Sequence, residues 1–357
     1  MPDSVASILL APAGLIYGFA MTCRNALYDL GLFGTWRAPI PVVSVGNITV
    51  GGTGKTPLVD WIVKFYNASG KTTAIVSRGY GRRTKGAQVV SDGTEILLGS
   101  LDAGDETAML AARNPTSIVV VAGNRQEGVE LLMRRFAGRL PDVIVLDDAF
   151  QHRKIARDLD IVVINAGEPL MRARVLPAGR LREPIRGLTR AGIFILNKIT
   201  DEISAASIVE ALKPLGKPVV LSRIRTGKLI PVGHDATALL ENTVTTGLRV
   251  LAFAGIGAPE GFLHSLGEAG AKVVSSRFFR DHQPYTAEAV RSILADSKRL
   301  GLVPVTTEKD WFRIRDDREL DELLAGAGCR YLTIEPDLYE GKATLENMLL
   351  ALLLDDR

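Results

Sequence analysis

The sequence predicts an α/β protein built on a largely parallel sheet. Three observations predict it. Short β-branched runs recur along the 357 residues and alternate with helical patterns. The runs are apolar at consecutive positions, as in strands buried on both faces. One of them, Val42 to Val45, stops at a glycine-rich turn that ends in Gly54-Lys55-Thr56 and leads into a helical pattern. Strand, glycine turn and helix in that order make a phosphate-binding P-loop.

The N-terminal segment comes first. No charged residue occurs from Ser4 through Cys23. Asp3 leads and no basic stretch precedes the apolar run, which does not fit a signal peptide. Length permits a spanning helix, but Pro12, Gly14 and Gly18 argue against one. Val5, Ile8, Leu9, Leu15, Ile16, Phe19, Cys23, Leu27 and Leu30 share one helical face. Ser4, Ser7, Ala11, Gly14, Gly18, Thr22, Asn25 and Asp29 lie opposite. An apolar stripe with a small, weakly polar back suits a helix lying in a membrane interface better than a helix packed on a core, although amphipathic helices are common in soluble domains.

The P-loop strand and its turn follow. Thr49, Gly51, Gly52, Thr53, Gly54, Lys55 and Thr56 form the expected nucleotide-binding set. Glycines let backbone N–H groups converge on phosphate oxygens, and the helix N-terminus adds a favourable dipole. Lys55 is placed to reach the β- and γ-phosphates of ATP, and Thr56 to hold Mg²⁺ through its hydroxyl. Thr49 stands where the strict pattern has glycine.

Further strands are expected at Thr73–Ser77, Ser117–Ala122, Val143–Leu146, Ile161–Ile164, Ile193–Leu196 and Val219–Ser222. Arg223 to Gly247 mixes polar residues, Gly and Pro, and reads as a connector. A second set follows at Val250–Ala254, Lys272–Ser275, Val303–Thr306 and Tyr331–Ile334. The expected organisation is therefore an N-terminal interface helix over 1–30, a P-loop NTPase-like domain over 31–222, a connector over 223–248 and a smaller α/β lobe over 249–357.

Composition narrows the function. Apolar residues make up 46% and charged residues 23%, ordinary for a folded protein. A net charge of +3 and a pI near 8.8 are too mild to argue for nucleic acid. Cys23 and Cys329 stand far apart without metal or disulfide spacing, which suits a reducing cytoplasm.

Asp142 to Asp148 is an apolar strand that ends in two aspartates, Asp147 and Asp148. Carboxylates at a strand's C-terminal end beside a P-loop can bind Mg²⁺, directly or through water. They can also cap the helix that follows.

Several motifs stand in one order: Gly46 to Pro57, Ser77-Arg78-Gly79-Tyr80-Gly81-Arg82, Gly104-Asp105-Glu106, Asp147-Asp148-Ala149-Phe150-Gln151-His152, Phe279-Arg280-Asp281-His282 and Thr307-Glu308-Lys309-Asp310. Together they resemble the tetraacyldisaccharide 4′-kinase family, the lipid A 4′-kinases of Gram-negative bacteria, over nearly the whole chain. Ala149, Thr107 and Gln283 depart from the family's usual Gly, Pro and His, and none removes a group with obvious chemistry. The resemblance implies transfer of the ATP γ-phosphate to the 4′-hydroxyl of an acylated glucosamine disaccharide 1-phosphate. It implies Asp105 as the base, His282 as its partner and Lys55 on the phosphates. It also implies contacts to the lipid acceptor from Asn47, Arg78, Tyr80, Glu106, Gln151 and Arg182. Read from the residues alone, Asp105 could equally cap the helix beginning at Glu106.

Two basic clusters need a role. Arg172, Arg174, Arg180, Arg182, Arg186 and Arg190 occupy a Gly- and Pro-bearing loop with one acid, Glu183. Arg78, Arg82, Arg83 and Lys85 flank Tyr80. Guanidinium forks suit the lipid 1-phosphate and anionic headgroups, although solvated arginines are common. Asn197-Lys198-Ile199-Thr200-Asp201 carries a weak signal for base contact, one residue longer than the guanine-reading spacing. The expected partners are an acylated disaccharide lipid and a membrane surface, with no nucleic acid and no obligate protein partner. The expected location is the cytoplasmic face of the bacterial inner membrane, peripheral or monotopic. The rival reading is a membrane-associated switch ATPase acting on a protein, although Val50 replaces that class's signature lysine.

Overall fold

A computed structural model describes residues 5–170, 173–233, 246–281 and 283–354. The strands are β1 (Val42–Gly46), β2 (Thr73–Ser77), β3 (Gln88–Asp92), β4 (Ile118–Val121), β5 (Val143–Asp147), β6 (Leu159–Asn165), β7 (Ile193–Asn197), β8 (Val219–Pro231), β9 (Arg249–Ala254), β10 (Lys272–Phe278), β11 (Val303–Thr307) and β12 (Arg330–Glu340). The helices are α1 (Val5–Leu9), α2 (Ala11–Asp29), α3 (Lys55–Ala68), α4 (Ser100–Ala103), α5 (Asp105–Arg113), α6 (Arg125–Arg135), α7 (Glu202–Leu212), α8 (Pro259–Glu268), α9 (Ala287–Leu300), α10 (Glu308–Ile314), α11 (Arg318–Gly326) and α12 (Lys342–Ala351).

All twelve strands join one sheet in the order β10-β9-β11-β12-β8-β7-β6-β1-β5-β2-β4-β3. Among the described strands only β8 with β12 and β3 with β4 pair antiparallel. The predicted α/β class with a mostly parallel sheet holds. The central strands β1, β2, β4, β5 and β7 are buried at every position, which is why they read as unbroken apolar runs.

Two stretches differ from expectation. Arg223 to Pro231, expected as connector, is the second half of β8 and pairs with β12. Arg223 and Arg225 on this strand meet Asp337 and Glu335 across the ladder at 2.8 Å each. These exposed ion pairs stabilise weakly, but they explain a polar sequence in a paired strand. The other is β3, a half-exposed edge strand that the sequence reading did not single out. Residues 234–245 of the expected connector lie outside the described residues.

Helix α2 begins with Pro12 in its first turn and lays its small back on the arginine loop. A Cβ on Gly14 would stand 2.9 Å from the Ala178 Cβ, so glycine sets the distance of approach. Ser7 Oγ donates to the Ala178 carbonyl at 2.6 Å and Tyr17 Oη to the Arg182 carbonyl at 2.8 Å. The opposite face is bare: Leu9, Leu15, Ile16, Phe19 and Leu30 are each 72–76% exposed. Among the described residues no helix is long and apolar enough to cross a membrane.

The strand ends near Gly46 are packed with no room for a side chain. A Cβ at Gly46 would lie 2.7 Å from the Phe150 nitrogen and 2.6 Å from its Cβ. We expect Gly46→Ala to cost about 1–3 kcal/mol through overpacking. Urea denaturation checks this; an unchanged midpoint would show that Phe150 gives way freely.

Candidate active site

Gly54, at φ 88, caps α3 in the left-handed region and turns the chain so that Lys55 and Thr56 begin the helix. The loop is braced from behind. Asn197 Nδ2 donates to the Thr53 carbonyl at 3.0 Å, and Lys198 Nζ to the Gly52 carbonyl at 2.6 Å. Arg180 donates to the Val50 carbonyl at 2.8 Å, and Asn47 Nδ2 to Thr53 Oγ1 at 3.2 Å. Lys198 itself has φ 59, a strained backbone for a lysine, kept by that contact. Asp201 is engaged as the cap of α7, accepting from the Ile203 and Ser204 amides. The Asn197-Lys198 pair therefore sits at the P-loop, while Asp201 is occupied by its own helix.

β5 delivers the two aspartates to the same end of the sheet. Asp147 is buried and accepts from Ser77 Oγ at 2.8 Å. Burial, and then the nearby charges of Glu106 and Asp148, push its carboxyl up to about 6. Asp148 has φ 48 and faces two cations. Arg182 Nη1 lies 2.8 and 2.9 Å from its oxygens, and Lys55 Nζ 3.5 Å from Oδ1. Burial opposes its ionisation, but Lys55 and Arg182 outweigh that and hold the carboxyl down to about 2. His152 nearby is driven down to about 4 by burial and by Arg125 and Arg78, so it is neutral at pH 7.

The first turn of α5 closes the group. Glu106 Oε2 accepts from Thr56 Oγ1 at 3.4 Å, and its Oε1 lies 3.0 Å from Lys309 Nζ. Gly104, not Asp105, is the cap of α5. Asp105 instead meets Arg313 of α10, Nε to Oδ2 at 2.8 Å. Arg78 and Tyr80 stand exposed at the end of β2, and Gln151 Nε2 donates to the Asn47 carbonyl at 2.9 Å. Thus Asn47, Thr53, Lys55, Thr56, Glu106, Asp148, Gln151 and Arg182 take part in direct contacts within the group, while Asp147 is tied in through Ser77 and Arg125. His282 lies outside the described residues, as does Arg172.

The arginine loop is mostly internal ligature. Arg180 and Arg182 hold the P-loop and Asp148, and Arg190 pairs with buried Glu183 at 2.8 Å. Arg186 alone of the described members stands exposed without a partner role in the site. Sequence reasoning gave Glu183 of the arginine loop no role, and missed Arg125, Arg113 and Arg313. Each is a single charged residue in an otherwise ordinary segment, and no spacing marks it.

Among the described residues no three His, Cys, Asp or Glu side chains form a ready-made metal cage. Thr56, Glu106, Asp147 and Asp148 nevertheless crowd oxygens, three of the groups anionic, around one P-loop. A hard divalent cation held by few protein ligands together with phosphates suits such a set.

The sequence model of tetraacyldisaccharide-1-P 4′-kinases matches residues 6–354. A protein of Chlorobaculum tepidum named tetraacyldisaccharide 4′-kinase is 64% identical over 353 residues, 99% of both chains. One of the same name from Chlorobaculum parvum is also 64% identical, over 99% of this chain and 97% of its own. A crystal structure of LpxK from Aquifex aeolicus, described as an "apo" form in complex with ATP, is 29% identical with a TM-score of 0.74, covering 97% of this chain and 99% of that one.

The raised carboxyl of Asp147 sets a pH dependence. The folded protein binds this proton up to about pH 6, whereas an unfolded aspartate releases it near 3.8. Stability from this group is therefore present below about pH 4 and is lost as pH rises to about 6, by at most about 3 kcal/mol. Asp147→Asn should remove that slope. Urea midpoints at pH 5 and 7, compared between the two proteins, read it; parallel behaviour would refute it.

Proposed function

The chain belongs to the tetraacyldisaccharide-1-P 4′-kinase family, and from that premise we propose how its residues divide the work. The enzyme is a kinase of lipid A biosynthesis that transfers the γ-phosphate of ATP to the 4′-hydroxyl of a tetraacyl glucosamine disaccharide 1-phosphate. The full-length match favours this over a partner-driven switch ATPase.

One observation supports this assignment of roles: α5 brings Glu106 against Thr56, and Asp105 is the residue before Glu106 on that helix. ATP lies along residues 49–56, its phosphates on the loop amides and on Lys55. Lys55 has Asp148 as its partner beforehand, which keeps the ammonium aimed at the loop. Mg²⁺, when bound by Thr56, Asp147 and Asp148, neutralises phosphate charge. The acceptor lies against Asn47, Arg78, Tyr80, Glu106, Gln151 and Arg182. Asp105, with His282 as partner, takes the proton of the 4′-hydroxyl. The bond from O4′ to the γ-phosphorus forms as the bond to the β-phosphate oxygen breaks, leaving ADP and the 4′-phosphorylated lipid. Residues 1–30 serve as the interface unit, 31–222 as the P-loop domain and 249–357 as the second lobe.

The exposed apolar face of α2 is read as lying in the cytoplasmic leaflet of the inner membrane, where a lipid acceptor is presented. A detergent assay with labelled ATP and the monophosphorylated disaccharide lipid should yield a bisphosphorylated product; hydrolysis of ATP without acceptor phosphorylation would sink the reading.

Lys55→Ala should lower turnover by roughly 10²–10³ without unfolding the protein. Asp105→Ala should lower kcat by about 10² while ATP affinity stays nearly intact. A folded Asp105→Ala enzyme with normal kcat would remove the base role. For the membrane, Leu15→Asn with Phe19→Asn should weaken flotation with anionic vesicles while leaving a folded protein; unchanged flotation would refute the interface face.

A further inference from the structure

Arg313 gathers four segments of the chain at one guanidinium. Its side chain is 8% exposed. Nε donates to Asp105 Oδ2 at 2.8 Å, at the start of α5. Nη1 donates to Asp310 Oδ1 at 2.9 Å within α10, to the Gly255 carbonyl at 3.3 Å after β9, and to the Gln283 carbonyl at 3.4 Å after β10. Asp310 is fully buried and is itself held, accepting from the Gly255 amide at 3.1 Å and Thr307 Oγ1 at 2.6 Å. Gln283 directly follows His282 in sequence. A single side chain therefore ties the proposed base to the loop that carries its proposed partner.

A plain structural staple would explain part of this, but two features go beyond it. First, α5 and α10 are already fastened at their other ends. Arg113 at the end of α5 pairs with Asp60 at 2.9 Å and with Glu308, the first residue of α10. Met109 of α5 also packs into the core of the second lobe. Second, the guanidinium has two carboxylates where one would neutralise it. Burial opposes its charge, yet Asp310 and Asp105 together raise its pKa above the ordinary arginine value. When Asp105 takes a proton and becomes neutral, Asp310 still compensates the cation, so the clamp survives the protonated intermediate. A buried arginine with only Asp105 as partner would lose its counter-charge at that moment.

We propose that Arg313 is a positioning residue of the phosphoryl transfer, clamping the Asp105 carboxylate in one frame with the Gly255 and Gln283 carbonyls, with Asp310 as its permanent counter-ion. This rests on Asp105 acting as the base. A misplaced base should cost rate in the transition state and leave ground-state binding of ATP alone.

The test uses the full chain in detergent, with kcat and both KM values for Arg313→Met, Arg313→Lys and Asp105→Ala, and urea midpoints for each. Arg313→Met should lower kcat about 10- to 100-fold with the KM for ATP within about twofold. Arg313→Lys, which keeps a charge between Asp105 and Asp310, should recover much of that loss. The double variant Arg313→Met with Asp105→Ala should be no slower than Asp105→Ala alone, since the arginine acts only through the aspartate. If Arg313→Met does not fold, Arg313→Lys in the presence and absence of Asp105→Ala reads the same coupling. Fully multiplicative losses, or a folded Arg313→Met enzyme with wild-type kcat, would overturn the clamp. Asp105→Ala with normal kcat would instead overturn the base role on which it stands.

Discussion

Arg125 holds the end of β5 in a shape on which the rest of the site depends. The residue is fully buried, and every bond it makes goes to a carbonyl. Nη1 donates to Ala122 at 2.8 Å, and Nη2 to Asp147 at 2.6 Å and Asp148 at 3.2 Å. Burial pulls its pKa down to about 10, against the attraction of Asp147 and Asp148, so the charge persists at neutral pH. The bonds gather the carbonyls of β4 and β5 and let Asp148 adopt φ 48. That turn points Asp148 at Lys55 and Arg182 and seats Phe150 against Gly46. Arg190 then covers the Phe150 ring at 4.5 Å while pairing with Glu183. Phosphate loop, acidic strand end and arginine loop are thus three consequences of one buried cation.

A second constraint joins the halves of the molecule. β8 pairs with β7 at one end and with β12 along its length, so the sheet has no gap between the two α/β sets. α12 crosses back, and Leu345 and Leu349 enter the core under α3, where Tyr66 Oη donates to the Leu349 carbonyl at 2.9 Å. On the site's side α5 is the bridge: it carries Glu106 to the P-loop and Asp105 to α10. A helix shared between two cores has little freedom to move alone. Asp105 and the P-loop are consequently located by packing, with ion pairs refining the geometry.

The strongest elements were legible because burial on both faces leaves only apolar residues. β2 and β7 follow their apolar runs almost residue for residue. β3 and the outer half of β8 were not legible, because their partners are polar and one face is wet; Arg223 and Arg225 are strand residues only by virtue of Asp337 and Glu335 more than a hundred positions away. The P-loop and the two aspartates stood out through spacing at strand and helix ends, and Glu106 through the family resemblance alone. Arg125, Glu183 and Arg313 did not, since a lone charge in a helix or loop looks solvated until its distant carbonyl or carboxylate is in view. The arginine loop shows the same limit from the other side: six arginines between positions 172 and 190 suggested a surface for anions, whereas Arg180, Arg182 and Arg190 hold backbone and acids of the protein itself.

The N-terminal helix follows from that inward turn. Once Arg180 and Arg182 face the P-loop, the outer backbone of their loop needs partners. Ser7 and Tyr17 supply them, and Asn25 reaches Glu183 at 2.8 Å, while glycines 14 and 18 allow the approach. Gly14, Tyr17, Gly18 and Asn25 of α2 are thereby drawn to the protein side. The apolar residues have nowhere to go but outward, and a bare stripe of leucine, isoleucine and phenylalanine is favourable only against an apolar phase. The hydrogen bonds behind the phosphate loop and the exposed apolar stripe are therefore two sides of one helix.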